Sequence, residues 1–93
     1  MNYQRGRTHQ ETTTTLSPAE ALAAAKRFFG PRNAVYTAFV EKESPHHVAM
    51  RGQGGEEVVV AASTDDGATR VSGSSYLFDQ QVARFLASLP PAQ

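Results

Sequence analysis

Apolar residues recur at helical spacing in two stretches of this chain, and between them they alternate at strand spacing. In the first stretch, Pro18 to Phe29, the residues Ala21, Leu22, Ala25, Phe28 and Phe29 share one stripe, with Glu20 and Arg27 opposite. Its start is written in side-chain chemistry: Ser17 as N-cap, Pro18 at the first helical position, and Glu20 three residues after the cap to close a capping box. Lys26 and Arg27 suit the C-terminal end of the helix dipole, and Gly30 with Pro31 stops the helix. The second stretch, Ser75 to Leu89, carries Phe78, Val82, Phe85, Leu86 and Leu89 on a narrow stripe, with Ser74 or Ser75 as cap and Pro90 and Pro91 as terminators. Tyr76 and Leu77 fall off that stripe and are expected to pack under the preceding loop, the alternative being projection toward another molecule.

Between the helices lie four strand-length runs: Ala34 to Lys42, His46 to Gly52, Glu56 to Ser63 and Ala68 to Gly73. Glu43 to Pro45, Gln53 to Gly55 and Thr64 to Gly67 supply the turns, so the runs form a meander. Val48, Met50, Val58, Val60 and Val71 fall on alternate positions and define the core face of the sheet. Thr8 to Leu16 holds four consecutive threonines, whose branching at Cβ favours extended backbone, and is expected as an edge strand. The order predicts an α+β fold, β-α-β-β-β-β-α, with an antiparallel sheet and two helices packed on one face. Residues 1–93 make a single domain, with 1–7 an N-terminal tail, 8–89 the core and 90–93 a C-terminal tail.

Composition makes the core thin. Of 93 residues 14 are Ala, none is Ile or Trp, and Val, Leu and Phe together fill only 18 positions. A buried Val, Leu or Phe contributes roughly 1.5–3 kcal/mol, whereas ordering each backbone residue costs roughly 1–2 kcal/mol, so little surplus remains and association would stabilise the fold. Nine basic residues balance nine acidic ones, which argues against disorder and against an electrostatic grip on nucleic acid or an anionic membrane. The charge leans by region, +3 over residues 1–32 and −3 over the rest. The lack of cysteine excludes a disulfide framework and a thiolate site and fits a cytoplasmic location. No run approaches the length of a membrane span.

The order of elements, with the Leu16-Ser17-Pro18-Ala19-Glu20 opening of the first helix, resembles a single repeat of the TATA-binding-protein-like fold and a shortened helix-grip fold of the START and polyketide-cyclase-like type. The resemblance spans residues 8 to 89 and implies helices on one face of a curved antiparallel sheet, with the other face left for DNA, an apolar ligand or a protein. That open face would carry Ala49, Arg51, Glu57, Val59, Ala61, Arg70 and Ser72. A DNA-binding saddle needs several cations and intercalating aromatics, whereas Arg51 and Arg70 are offset here by Glu57. A helix-grip cavity needs more strands than this chain supplies. Protein contact is the expected use, with Ala49, Val59 and Ala61 as apolar centre and Arg51 and Arg70 as charged rim.

No residue set has the types and spacing of a catalytic or metal site. His46 and His47 are adjacent, so their side chains diverge from a strand, and His9 is remote in sequence. Asp65, Asp66 and Gly67 lack the rest of a calcium loop and read as a turn; Ser72 to Ser75 read as capping residues. The pairs Glu41 with Glu43 and Glu56 with Glu57 border exposed turns where nothing would raise a carboxyl pKa. No Gly-x-Ser-x-Gly elbow occurs. The sequence therefore predicts a non-catalytic interaction module without cofactor or metal, either a homo-oligomer associating through its sheet or an accessory subunit of a hetero-complex. It predicts no nucleic-acid binding and no membrane insertion. The alternative is a binder of a small apolar ligand in a cleft between sheet and last helix or between two chains.

Overall fold

The computed structural model describes residues 7–30 and 38–92. The chain forms β1 (Arg7–Thr14), α1 (Pro18–Phe29), β2 (Ala38–Ser44), β3 (His47–Gly52), β4 (Glu57–Asp65), β5 (Ala68–Tyr76) and α2 (Asp79–Ser88). The strands make one antiparallel sheet in the order β1-β5-β4-β3-β2, so the meander is followed spatially by β1 pairing back onto β5. The threonine strand thus pairs within its own chain, as one edge of the sheet, and β2 is the other edge.

Local chemistry explains the joints. Ser17 Oγ accepts the Glu20 N–H at 3.1 Å while Glu20 Oε1 accepts the Ser17 N–H at 2.8 Å, the reciprocal capping box that the sequence spells. The β4–β5 hairpin turns on Asp66 and Gly67 at φ of 55° and 84°. Two successive positive φ values match the right-handed strand twist, and Asp-Gly tolerates them. At the β3–β4 joint Gly55 has a φ of 91°, and the Glu56 side chain folds back so that Oε1 accepts the Gly54 N–H at 2.9 Å.

All five residues assigned to the core face, Val48, Met50, Val58, Val60 and Val71, are buried. They share one cluster with Ala21, Leu22, Ala25 and Phe29 of α1 and with Phe78, Val82, Phe85, Leu86 and Leu89 around α2. Helix α1 lies against β2 to β5, and α2 against β5 and β1. Phe29 knits the cluster, its ring centroid 5.1 Å from Phe28, 5.6 Å from Phe85 and 6.1 Å from Phe78. Four aromatic rings in mutual contact supply the volume that the alanines lack.

Three expectations need correction. The strand expected at Ala34 to Lys42 runs over Ala38–Ser44, and residues 34–37 lie outside the described part. The last helix begins at Asp79 rather than Ser75, because β5 extends to Tyr76. Ser72, Gly73, Ser74 and Ser75 therefore belong to a strand flanked by β1 and β4 instead of capping a helix; ladder partners on both sides outweigh a local cap. Phe78 stands at the N-cap without a side-chain bond, and Leu77 reaches it through a φ of 71°. The C-terminal segment is held against β1: Thr14 Oγ1 donates to the Pro90 carbonyl at 2.6 Å, the Thr15 N–H to the same oxygen at 3.3 Å, and the Ala92 N–H to the Thr13 carbonyl at 3.4 Å.

Candidate functional site: the open sheet face

Period-two alternation divides the sheet. Residues directly opposite in antiparallel register share a face. Ala49 pairs with Val59, Val59 with Ser74, Ala61 with Ser72, and Arg51 with Glu57, while Arg70 pairs with Ser63. The five residues singled out as interface candidates, Ala49, Arg51, Val59, Ala61 and Arg70, therefore lie together on the face opposite the core set. Ala49, Val59, Ala61, Ser72 and Ser74 are half-buried, forming a level floor of small side chains.

Both arginines are held by carboxylates. Arg51 Nε donates to Glu41 Oε2 at 2.9 Å and its Nη2 to Glu57 Oε2 at 3.3 Å, which spans β2, β3 and β4. Arg70 Nη1 donates to Glu11 Oε1 at 2.9 Å and its Nε to Asp65 Oδ2 at 3.0 Å, which spans β1, β5 and β4. The hydrogen bond from Arg51 holds the Glu41 carboxyl below its usual range, and the same bond raises Arg51; the bond to Asp65 likewise raises Arg70. Desolvation pushes Glu41 the other way but does not outweigh its bond to Arg51.

Beside the Arg70 bridge a depression of about 180 Å³ is lined by His9, His46, Ala61, Arg70 and Ser72 among others. His9 Nε2 stands 3.6 Å from Glu11 Oε2, and His47 Nδ1 is 2.6 Å from Ser44 Oγ. Among the described residues no three His, Cys, Asp or Glu side chains converge in a way that would hold a metal ion.

Two aromatic residues on this face escaped the sequence reading. Phe39 opposes Arg51 and Tyr76 opposes Glu57, so the row Phe39, Arg51, Glu57, Tyr76 runs from β2 to β5 with an exposed aromatic on each of those two strands, 52% and 45% accessible, before it meets β1. Tyr76 and Leu77, the latter 60% exposed, project rather than packing under a loop. For Phe39 the signal was ambiguous, since both alternate sets of the Ala34 to Lys42 run contain apolar residues. For Tyr76 it was hidden by assigning the residue to a helix.

The arrangement defines a small α+β protein built on a five-stranded antiparallel sheet with two helices. No protein family, curated protein or solved structure matches the chain. Among the described residues no helix is long and apolar enough to cross a membrane.

Proposed function

We propose that the protein is a non-catalytic interaction module whose contact surface is the open sheet face, on which a second copy of the chain or a subunit of a larger assembly is seated. The observation that carries this reading is the juxtaposition of Ala49, Val59 and Ala61 across β3 and β4, rimmed by the two arginine bridges and by Phe39 and Tyr76. Small central side chains let a partner approach closely, and aromatic groups with arginines at the margin are the residue types enriched where proteins meet. Because Arg51 and Arg70 are each already bound to carboxylates, those two residues offer no free cationic stripe for a phosphate backbone. The likeness to the TATA-binding-protein-like repeat then extends to element order and not to ligand.

A small apolar ligand in the seam between sheet and α2 is disfavoured by close packing. A Cβ placed on Gly73 would lie 2.6 Å from Val82 Cγ1, so the helix already rests on the strand.

The test is the double substitution Val59→Glu with Ala61→Glu. Sedimentation velocity or native mass spectrometry should record loss of association while the far-ultraviolet circular dichroism stays unchanged. Unaltered association would overturn the reading, and loss of the folded signal would place both residues in the core.

A further inference from the structure

The two edges of the sheet are built differently, and the difference points to how copies of this chain meet. Edge strand β2 carries a register shift between Val40 and Lys42 and the run Glu41-Lys42-Glu43, a bulge and charges of the kind that keep an edge from adding strands. Strand β1 has no bulge, its eight residues pairing with β5 in unbroken register, and its two charged positions, 7 and 11, are of opposite sign rather than a run.

The C-terminal segment reveals which backbone groups of β1 face outward. Because Thr13 accepts from Ala92 and Thr15 donates to Pro90, the odd-numbered residues turn their N–H and C=O groups away from β5. Arg7, His9 and Glu11 therefore present a row of outward backbone donors and acceptors, and among the described residues no backbone group meets them. Among the described residues only the far end of the edge, Thr13 to Thr15, is covered, by Pro90 and Ala92.

We infer that a second copy of the chain pairs with this edge, β1 against β1 in antiparallel register about a two-fold axis at His9. Parity restricts the register, because outward residues must oppose outward residues. Centring on His9 sets Arg7 against the partner's Glu11 and Glu11 against the partner's Arg7, with about six ladder hydrogen bonds. Centring two-fold at Gln10 would oppose Arg7 to Thr13, whose carbonyl Ala92 already uses. The favoured register also sets a basic sequence position, 7, opposite an acidic one, 11, at both ends of the seam.

Pairing at this edge makes one continuous ten-stranded sheet and doubles the open face. That consequence rests on the proposed function, but the edge pairing itself does not. A face of five strands spaced ~4.8 Å apart and six to nine residues long covers about 600 Å², less than the ~800 Å² that each side of a stable interface usually buries. Two faces side by side reach that size.

The test uses the intact chain. His9→Pro removes an N–H that the fold does not use and obstructs an incoming strand, so sedimentation velocity at about 100 μM should show a dimer for the natural chain and a monomer for the variant, with equal circular dichroism. Gln10→Pro, which strikes the β5 side, should lower the folded signal instead. Should His9→Pro fail to fold, amide exchange of the natural chain decides: His9 and Glu11 should exchange about tenfold more slowly at high than at low concentration, while the amides between β3 and β4 stay unchanged. A monomer at about 100 μM, a dimer that survives His9→Pro, or concentration-independent exchange at His9 and Glu11 would overturn the inference. Association lost in the Val59→Glu, Ala61→Glu pair yet retained in His9→Pro would sink the edge and leave the face standing.

Discussion

Gly73 sits where β5 passes beneath α2, and the absence of a side chain there sets the distance between helix and sheet. An added methyl would meet Val82 Cγ1 at 2.6 Å, and Val82 is itself buried with its rotamer restricted by Cβ branching. Gly73→Ala should therefore destabilise the protein by about 1–3 kcal/mol in urea unfolding. Adding Val82→Ala should make the pair less damaging than the sum of the two singles, by about 0.5 kcal/mol or more. At the rim, Glu41 is governed by one bond. Its folded-state pKa lies below the unfolded value, so the stabilisation from its pairing with Arg51 is present above the unfolded pKa and disappears as acidification passes through the folded one. A carbon-detected titration should find the Glu41 midpoint below that of an ordinary glutamate, and Arg51→Met should move it upward.

Among the elements, α2 shows how tertiary bonds replace a missing cap. Phe78 offers no capping oxygen, but Asp79 in the first turn accepts Thr8 Oγ1 at 2.7 Å on Oδ2 and buried Ser75 Oγ at 3.0 Å on Oδ1, while its carbonyl accepts Gln10 Nε2 at 3.0 Å. One residue thus ties the helix to β1 and β5, and its charge suits the positive end of the helix dipole. Asp79→Ala should cost about 1–3 kcal/mol, because Ser75 would remain buried without its acceptor. Asp79→Asn should cost less, and urea slopes should be unchanged in both. None of this is visible in a helical wheel, which is why the sequence placed the helix start among the serines. The capping box of α1 was legible because Ser17 and Glu20 satisfy each other within three residues.

The whole molecule depends on few large side chains. Phe29 touches three other rings and is fully buried, so Phe29→Ala should cost about 3–5 kcal/mol. Against a typical total of about 5–15 kcal/mol, calorimetry should then find a domain close to unfolding at 37 °C. Phe29→Leu should retain a cooperative transition. The same scarcity favours association, since a partner that binds only the folded state adds stability by mass action.

Much of this architecture follows from order along the chain. Period 3.6 in α1, period two in β3 and β4, and the Asp-Gly turn are local signals, and each fixes the facing of its own residues; Val48, Met50, Val58, Val60 and Val71 went inward, and Ala49, Val59 and Ala61 outward, for that reason. Tertiary structure alone decided how far β5 runs, where β1 pairs, what holds Pro90 to Ala92, and which aromatics end up beside Arg51 and Glu57. The pairing of β1 and of the C-terminal segment depends on hydrogen bonds between residues about 55 to 80 positions apart, and the placing of the aromatics on the register of β2 with β3 and of β4 with β5; a linear pattern holds no trace of a partner until the chain has folded back to it.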